Sequence, residues 1–165
     1  MKVVITGAPG TGKTTLIKRI YSLNPQKFKG FWTEEIREKG KRVGFKIVTT
    51  DGRSGILSHV KIDSPYRVGR YKVDIKGFED LVFPYLVPDG RIILIDEIGK
   101  MELFSERFAR LVEDLMFDGG DVIATIPLKD VHPLVKRIRR IYNPIEITIH
   151  NRDMIFSRIK KLLKF

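Results

Sequence analysis

The sequence predicts an α/β fold: a mostly parallel sheet with helices on both faces. Three observations predict it. Short apolar, β-branched runs recur at Lys2–Thr6, Arg91–Ile95, Asp121–Ile126 and Ile145–Ile149, as buried strands require. Segments with apolar residues at helical spacing alternate with these runs. A glycine-rich stretch sits between the first run and the first helical segment. Alternation of this kind builds right-handed strand–helix–strand crossovers that cover both faces of a sheet. A length of 165 residues suffices for one domain with its own core, and residues 1–165 are read as a single domain.

The elements follow in order. Lys2–Thr6 is a strand, and a helix runs from Lys13 to about Leu23 with Leu16, Ile17, Ile20 and Tyr21 on one face. Asn24-Pro25 ends it, because a residue before proline avoids helical geometry. Phe28–Glu35 and Val43–Thr49 are strand-like, and Glu38-Lys39-Gly40-Lys41 joins them as a hairpin. Asp51-Gly52-Arg53 turns the chain into Ser54–Val60, so an antiparallel insert near 28–60 is expected on the parallel core. Phe78, Leu81, Val82 and Tyr85 predict a helix that Pro88 stops. After the strand at Arg91–Ile95, Ser105 is placed to cap a helix carrying Phe108, Leu111, Val112, Leu115 and Met116, which Asp118-Gly119-Gly120 ends. Asp121–Ile126 is a third buried strand. Asp130 is expected to cap a short helix with Pro133 in its first turn and Leu134, Val135 and Ile138 inward. Ile145–Ile149 is a fourth buried strand. Asn151 is expected to cap the last helix, with Ile155, Ile159 and Leu162 inward and Arg158, Lys160, Lys161 and Lys164 outward.

Composition narrows the class. The chain is 42% hydrophobic and 31% charged, which suits a folded globular protein. No apolar run reaches the about 20 residues of a membrane span, so no membrane partner is expected. The glycine-rich stretch begins at residue 7, leaving no room for a leader, and a cytoplasmic location is expected. Absence of cysteine excludes disulfides and cysteine-ligated metals. His59, His132 and His150 show no ligand spacing. Lack of cysteine, a high charge load and short loops suit a thermophile. The net charge of +11 is uneven. Residues 1–50 carry 11 basic and 3 acidic side chains, residues 51–128 carry 10 and 14, and residues 129–165 carry 10 and 3. A basic surface attracts polyanions. No nucleic-acid-binding motif accompanies the charge, so nucleoside triphosphates are the expected partner, with a monomer favoured.

Gly7-Ala8-Pro9-Gly10-Thr11-Gly12-Lys13-Thr14 fits the P-loop pattern G-x-x-x-x-G-K-[ST], in the strand–loop–helix context the motif needs. The glycines let successive N–H groups point at phosphate oxygens, and the helix N-terminus adds positive potential. Lys13 is expected to reach the β- and γ-phosphates, and Thr14 to hold Mg²⁺ through its hydroxyl. Ile92-Ile93-Leu94-Ile95-Asp96-Glu97 is an apolar strand ending in two carboxylates. Asp96 stands where a P-loop enzyme needs its magnesium carboxylate, and Glu97, expected on the opposite side of the strand tip, is the candidate general base. The expected nucleotide-binding set is therefore Gly7 to Thr14 with Thr15, Ile95 and Asp96. The metal ligands are Thr14 and Asp96, the cofactor is Mg²⁺, and the catalytic residues are Lys13 and Glu97. No Asn/Thr-Lys-x-Asp signature for guanine is present.

Five blocks carry a resemblance. They are the P-loop at 7–14, Gly30-Phe31-Trp32-Thr33-Glu34-Glu35-Ile36-Arg37, Gly44-Phe45-Lys46-Ile47, Ile95-Asp96-Glu97-Ile98-Gly99-Lys100-Met101-Glu102-Leu103 and Ala124-Thr125-Ile126-Pro127. Together they resemble the nucleoside-triphosphatase family first described in thermophiles, whose vertebrate relative is called cancer-related nucleoside-triphosphatase. The match runs from residue 1 to about residue 160, and the block around Asp96 is its specific part. The resemblance implies a RecA-like P-loop three-layer sandwich. It also implies slow, Mg-dependent hydrolysis of ATP, GTP, CTP and UTP to the diphosphate and phosphate.

Other residues admit two readings each. Trp32 is either a non-selective stacking surface for a base or core. Arg37 is a phosphate contact or an ion-pair partner. Thr125 is a γ-phosphate sensor or a buried β-branched residue. Lys100 and Glu102 support Glu97 or pair with each other. Arg137, Arg139 and Arg140 are candidates for a transition-state arginine or a solvated face. Two rival functions stay open: a nucleotide or nucleoside kinase, with the insert at 28–60 as its lid, and a nucleic-acid-binding ATP switch.

Overall fold

The structure is a computed structural model that describes residues 1–165. Nine strands form one mixed sheet: β1 (Lys2–Thr6), β2 (Phe28–Glu38), β3 (Lys41–Thr49), β4 (Ser54–His59), β5 (Arg67–Val68), β6 (Tyr71–Val73), β7 (Ile92–Ile95), β8 (Val122–Ile126) and β9 (Ile145–Glu146). Five helices accompany them: α1 (Lys13–Leu23), α2 (Ile75–Val82), α3 (Glu106–Phe117), α4 (Pro133–Tyr142) and α5 (Arg152–Leu163). The strand order is β5-β6-β4-β3-β2-β7-β8-β1-β9. From β2 to β9 the pairs are parallel. From β2 to β5 they are antiparallel.

Alternation along the parallel strands divides the core, because successive side chains point to opposite faces. Val4, Ile93, Ile95, Val122 and Ala124 pack with Phe78, Phe108, Val112, Leu134 and Ile138 of α2, α3 and α4. Val3, Ile5, Ile92, Leu94 and Ile123 pack with Leu16, Ile17, Ile20, Ile155 and Ile159 of α1 and α5. Both faces of these strands are therefore covered, which is why they read as continuous apolar runs.

The insert is less separate than the sequence suggested. Phe28–Phe31 of β2 pair in parallel with Ile92–Ile95 of β7, while Phe31–Glu38 pair antiparallel with β3. One strand thus belongs to the parallel core and to the hairpin. Gly30 makes the close approach possible: its φ is +143°, and a Cβ there would stand 2.0 Å from the Leu94 carbonyl oxygen.

Several local expectations are corrected. The helix expected around Phe78–Tyr85 is α2, which gives way to a 3₁₀ turn over Phe83–Leu86 where Pro84 lacks an N–H. The short pair β5–β6 was not foreseen; two- and three-residue strands have too little periodicity to read. Ile145–Ile149 pairs as a strand only at Ile145–Glu146, continued by one bond from Ile147 N–H to the Thr6 carbonyl. Asp130 does not cap α4: His132 does, its Nδ1 accepting from the Leu134 N–H at 3.0 Å, while Asp130 pairs with Arg139. Asn151 makes no capping bond to α5; its Oδ1 accepts from the Thr148 N–H instead. Ser105 caps α3 as expected, accepting from Phe108 N–H at 3.0 Å.

Candidate active site

The P-loop joins β1 to α1 at the C-terminal end of the parallel strands, where ligands of open α/β sheets bind. Its shape follows from its residues. Gly10 (φ +80°) and Gly12 (φ +98°) take left-handed conformations that a side chain would strain. The Ala8 carbonyl accepts from the Thr11 N–H and, at 2.7 Å, from its hydroxyl. A Cβ on Gly7 would stand 2.7 Å from the Ile147 carbonyl oxygen, so the β9–α5 connection lies against the loop. Lys13 donates to the Gly7 carbonyl at 2.8 Å and faces Glu97 Oε1 at 3.4 Å.

Asp96, one residue past β7, is 3% exposed and lies among donors. The Thr14 hydroxyl donates to Oδ2 at 2.6 Å and the Thr125 hydroxyl to Oδ1 at 2.7 Å, and the Thr33 N–H approaches Oδ2 at 3.4 Å. Thr125 is on β8, which lies between β1 and β7. That order lets one threonine touch a carboxylate on the next strand while the P-loop reaches it from beyond. Burial pushes the Asp96 carboxyl up, against these hydroxyls, the Thr33 N–H and Lys13. Burial also pushes Glu97 up; Lys13 opposes this and Asp96 adds to it.

A cleft of about 430 Å³ opens from these residues toward the hairpin. Pro9, Gly10, Lys13, Thr14, Asp96 and Glu97 form its phosphate-loop end. Arg42 and Phe45 of the hairpin and Met101 after β7 line it as well. A larger groove of about 720 Å³ beside Tyr66, Glu79 and Arg107 contains none of the P-loop residues.

The family model described as NTPase matches residues 2–160. Nucleoside-triphosphatase THEP1 of Aquifex aeolicus is 48% identical over 99% of this chain and 99% of that protein. The chain belongs to the nucleoside-triphosphatase family. The human cancer-related nucleoside-triphosphatase is 39% identical, covering 95% of this chain and 93% of its own. The crystal structure of THEP1 from the hyperthermophile Aquifex aeolicus superposes with a TM-score of 0.91 at 45% identity, over 100% of both chains. A mixed α/β sheet with helices, of the P-loop kind, is thus shared with a nucleoside-triphosphatase structure.

Against this family background, the sequence-derived candidates fall into three groups. Gly7 to Thr14, Asp96 and Glu97 come together at one end of the sheet. Glu97 does not point away from Asp96; both carboxylates line the same cleft. Thr15 is exposed on α1, and the Ile95 side chain is buried in the core, so only its backbone faces the strand end.

The third group lies elsewhere. Trp32 is core: it is 8% exposed, packs on Tyr21 and donates through Nε1 to Glu34. Arg37 is held by Glu35 and the Gly40 carbonyl. Arg139 binds Asp130 and the Pro127 carbonyl, and Arg137 pairs with Glu113 and lies on the Phe117 ring. Arg140 is exposed and outside the cleft.

Two arginines near the site were not foreseen. Arg42 is fixed by Tyr71 and Glu35 at the cleft wall. Arg152 donates from Nε to the Thr11 carbonyl at 2.7 Å, over Gly12. Each arrives from a distant element, and no local pattern marks it.

Proposed function

We propose that this protein is a Mg-dependent nucleoside triphosphatase that releases phosphate from ATP, GTP, CTP and UTP with little base preference. One observation carries the reading. The P-loop lysine and threonine meet two strand-end carboxylates in a single cleft, with Lys13 facing Glu97 at 3.4 Å and Thr14 bonded to Asp96 at 2.6 Å. The family of the chain supports it.

In this reading the loop N–H groups and Lys13 hold the β- and γ-phosphates. Thr14 and Asp96 would hold Mg²⁺. They fit it: a hydroxyl and a buried carboxylate converge, both are hard oxygen donors, and a bound cation would offset the cost of the buried charge. When bound, the ion neutralises charge on the phosphate oxygens. Thr125 and Thr33 fix the Asp96 carboxylate in one orientation. Glu97 takes a proton from the attacking water as its oxygen bonds to the γ-phosphorus and the bond to the β,γ-bridging oxygen breaks. Positioning and charge supply most of the catalysis in such a loose transition state.

The parallel order β2-β7-β8-β1-β9, with helices packed on each face, supports a RecA-like three-layer arrangement in one domain. The proposed setting is the cytoplasm, where nucleoside triphosphates are made and used. Base tolerance is supported by the missing guanine signature; Trp32, being core, supplies no stacking surface for it.

Phosphate release from the four triphosphates, with and without Mg²⁺, tests the reading. The four kcat/KM values are expected within about tenfold, a spread of roughly 1.4 kcal/mol. A thousandfold preference for one base would overturn base tolerance. Transfer of the γ-phosphate to added nucleoside or nucleotide would make the enzyme a kinase. A large stimulation by RNA would make it a nucleic-acid-dependent switch.

A further inference from the structure

Glu102 is a buried titratable group to which the proposed chemistry gives no task. It begins the 3₁₀ turn Glu102–Phe104, is 4% exposed and lines the same cleft. Lys13, at the phosphate end of that cleft, pairs with Glu97 and not with Glu102. Both glutamates crowd Gly99. Oε2 of Glu97 and Oε1 of Glu102 lie 2.8 and 3.0 Å from the point where a Gly99 Cβ would stand. Glycine is the residue that leaves room for both. Oε1 of Glu97 thus faces Lys13, while its Oε2 lies at Gly99, where Oε1 of Glu102 also stands.

We propose that Glu102 is a positioning residue for Glu97, holding the Oε2 side of that carboxylate so that it keeps one orientation toward the attacking water. The inference rests on Glu97 being the general base. Burial, with the Glu97 charge beside it, holds the Glu102 carboxyl well above the usual carboxylate range. As an acid it presents an O–H, which a carboxylate accepts. When a triphosphate draws Lys13 to its phosphates, Glu102 remains as the partner that orients the base. Misplacing a reacting group by about 1 Å costs on the order of a hundredfold in rate, so the effect is large enough to measure.

The test uses the full chain with Glu102→Gln and Glu102→Asp, each alone and combined with Glu97→Gln. Phosphate release gives kcat and KM for Mg-ATP, and thermal melting reports folding. Gln keeps length and a donor; its kcat is expected within about threefold of wild type. Asp keeps the acid but withdraws it by one methylene. Its kcat is expected to fall by about tenfold to a hundredfold with KM unchanged. In the Glu97→Gln background, Glu102→Asp is expected to add no further loss, because effects of residues acting as a unit are not additive. An unchanged kcat in Glu102→Asp overturns the proposal. So does a parallel rise in KM, an equal loss in Glu102→Gln, or an additive loss in the double variant. A wild type without Mg-NTP hydrolysis, or an unimpaired Glu97→Gln, overturns the reading of the site itself and this inference with it.

Discussion

Replacing Glu97 by glutamine separates binding from chemistry, and the structure sets the sizes. The side chains are nearly isosteric, and Lys13, Thr14 and Asp96 stay in place. The ion pair lost is a long one, 3.4 Å between Lys13 Nζ and Glu97 Oε1, with side chains 13% and 26% exposed. The contact is long for a hydrogen bond, and glutamine keeps an oxygen for Lys13 to donate to, so most of that contact survives the substitution. The substitution also removes a negative charge beside Asp96 and beside the phosphates of the substrate, which favours binding. The two effects oppose each other, so Kd for Mg-NTP is expected within about fivefold of wild type.

The chemical step loses its base, worth about 10²–10⁴ in kcat or roughly 2.7–5.4 kcal/mol. Chemistry therefore falls far more than binding. Nucleotide titration gives Kd, and single-turnover phosphate release gives the rate. The pH profile adds a second check. Burial holds the Glu97 carboxyl above its ordinary value, and the base works only when ionised. Wild-type kcat is thus expected to decline as pH falls through a value above the usual glutamate pKa of about 4.3, and Glu97→Gln is expected to lack that decline. A variant kcat within threefold of wild type, or a loss confined to Kd, would refute the assignment of Glu97 as base.

Lys13→Ala is expected to abolish turnover and weaken Mg-NTP binding, since it removes the P-loop cation; normal phosphate release at saturating Mg-NTP would contradict this. Asp96→Asn is expected to raise the Mg²⁺ concentration needed for half-maximal activity, because it removes the negative charge at the cation; the amide keeps one acceptor oxygen, so either Thr125 on the Oδ1 side or Thr14 and Thr33 on the Oδ2 side lose theirs. An unchanged Mg²⁺ titration would argue against Asp96 as a metal ligand. Gly30→Ala places a Cβ 2.0 Å from the Leu94 carbonyl oxygen, so β2 and β7 must separate. A loss above about 3 kcal/mol in denaturant unfolding is expected, and a loss below 1 kcal/mol would mean that the strands yield easily.

The sequence alone determined what is written in contiguous residues. The phosphate loop needs left-handed glycines, a lysine and a hydroxyl at fixed steps along one segment, and Gly10, Gly12, Lys13 and Thr14 supply them. The parallel strands were legible because burial on both faces demands unbroken apolar runs, and α3 because its capping serine and its apolar spacing agree. Only the tertiary structure decided what depends on residues distant in the chain. Trp32 reads alike as a stacking surface or as core, and its packing on Tyr21 settles it as core. The double pairing of β2 depends on β7, about sixty residues later, approaching Gly30. Asp96 and Glu97 are adjacent in sequence, yet their sharing of one cleft, with Lys13 and Thr125 beside them, comes from three strands meeting at one end of the sheet. Glu102 carries no local sign of burial at all, because exposure belongs to what packs around a residue and not to the residue itself.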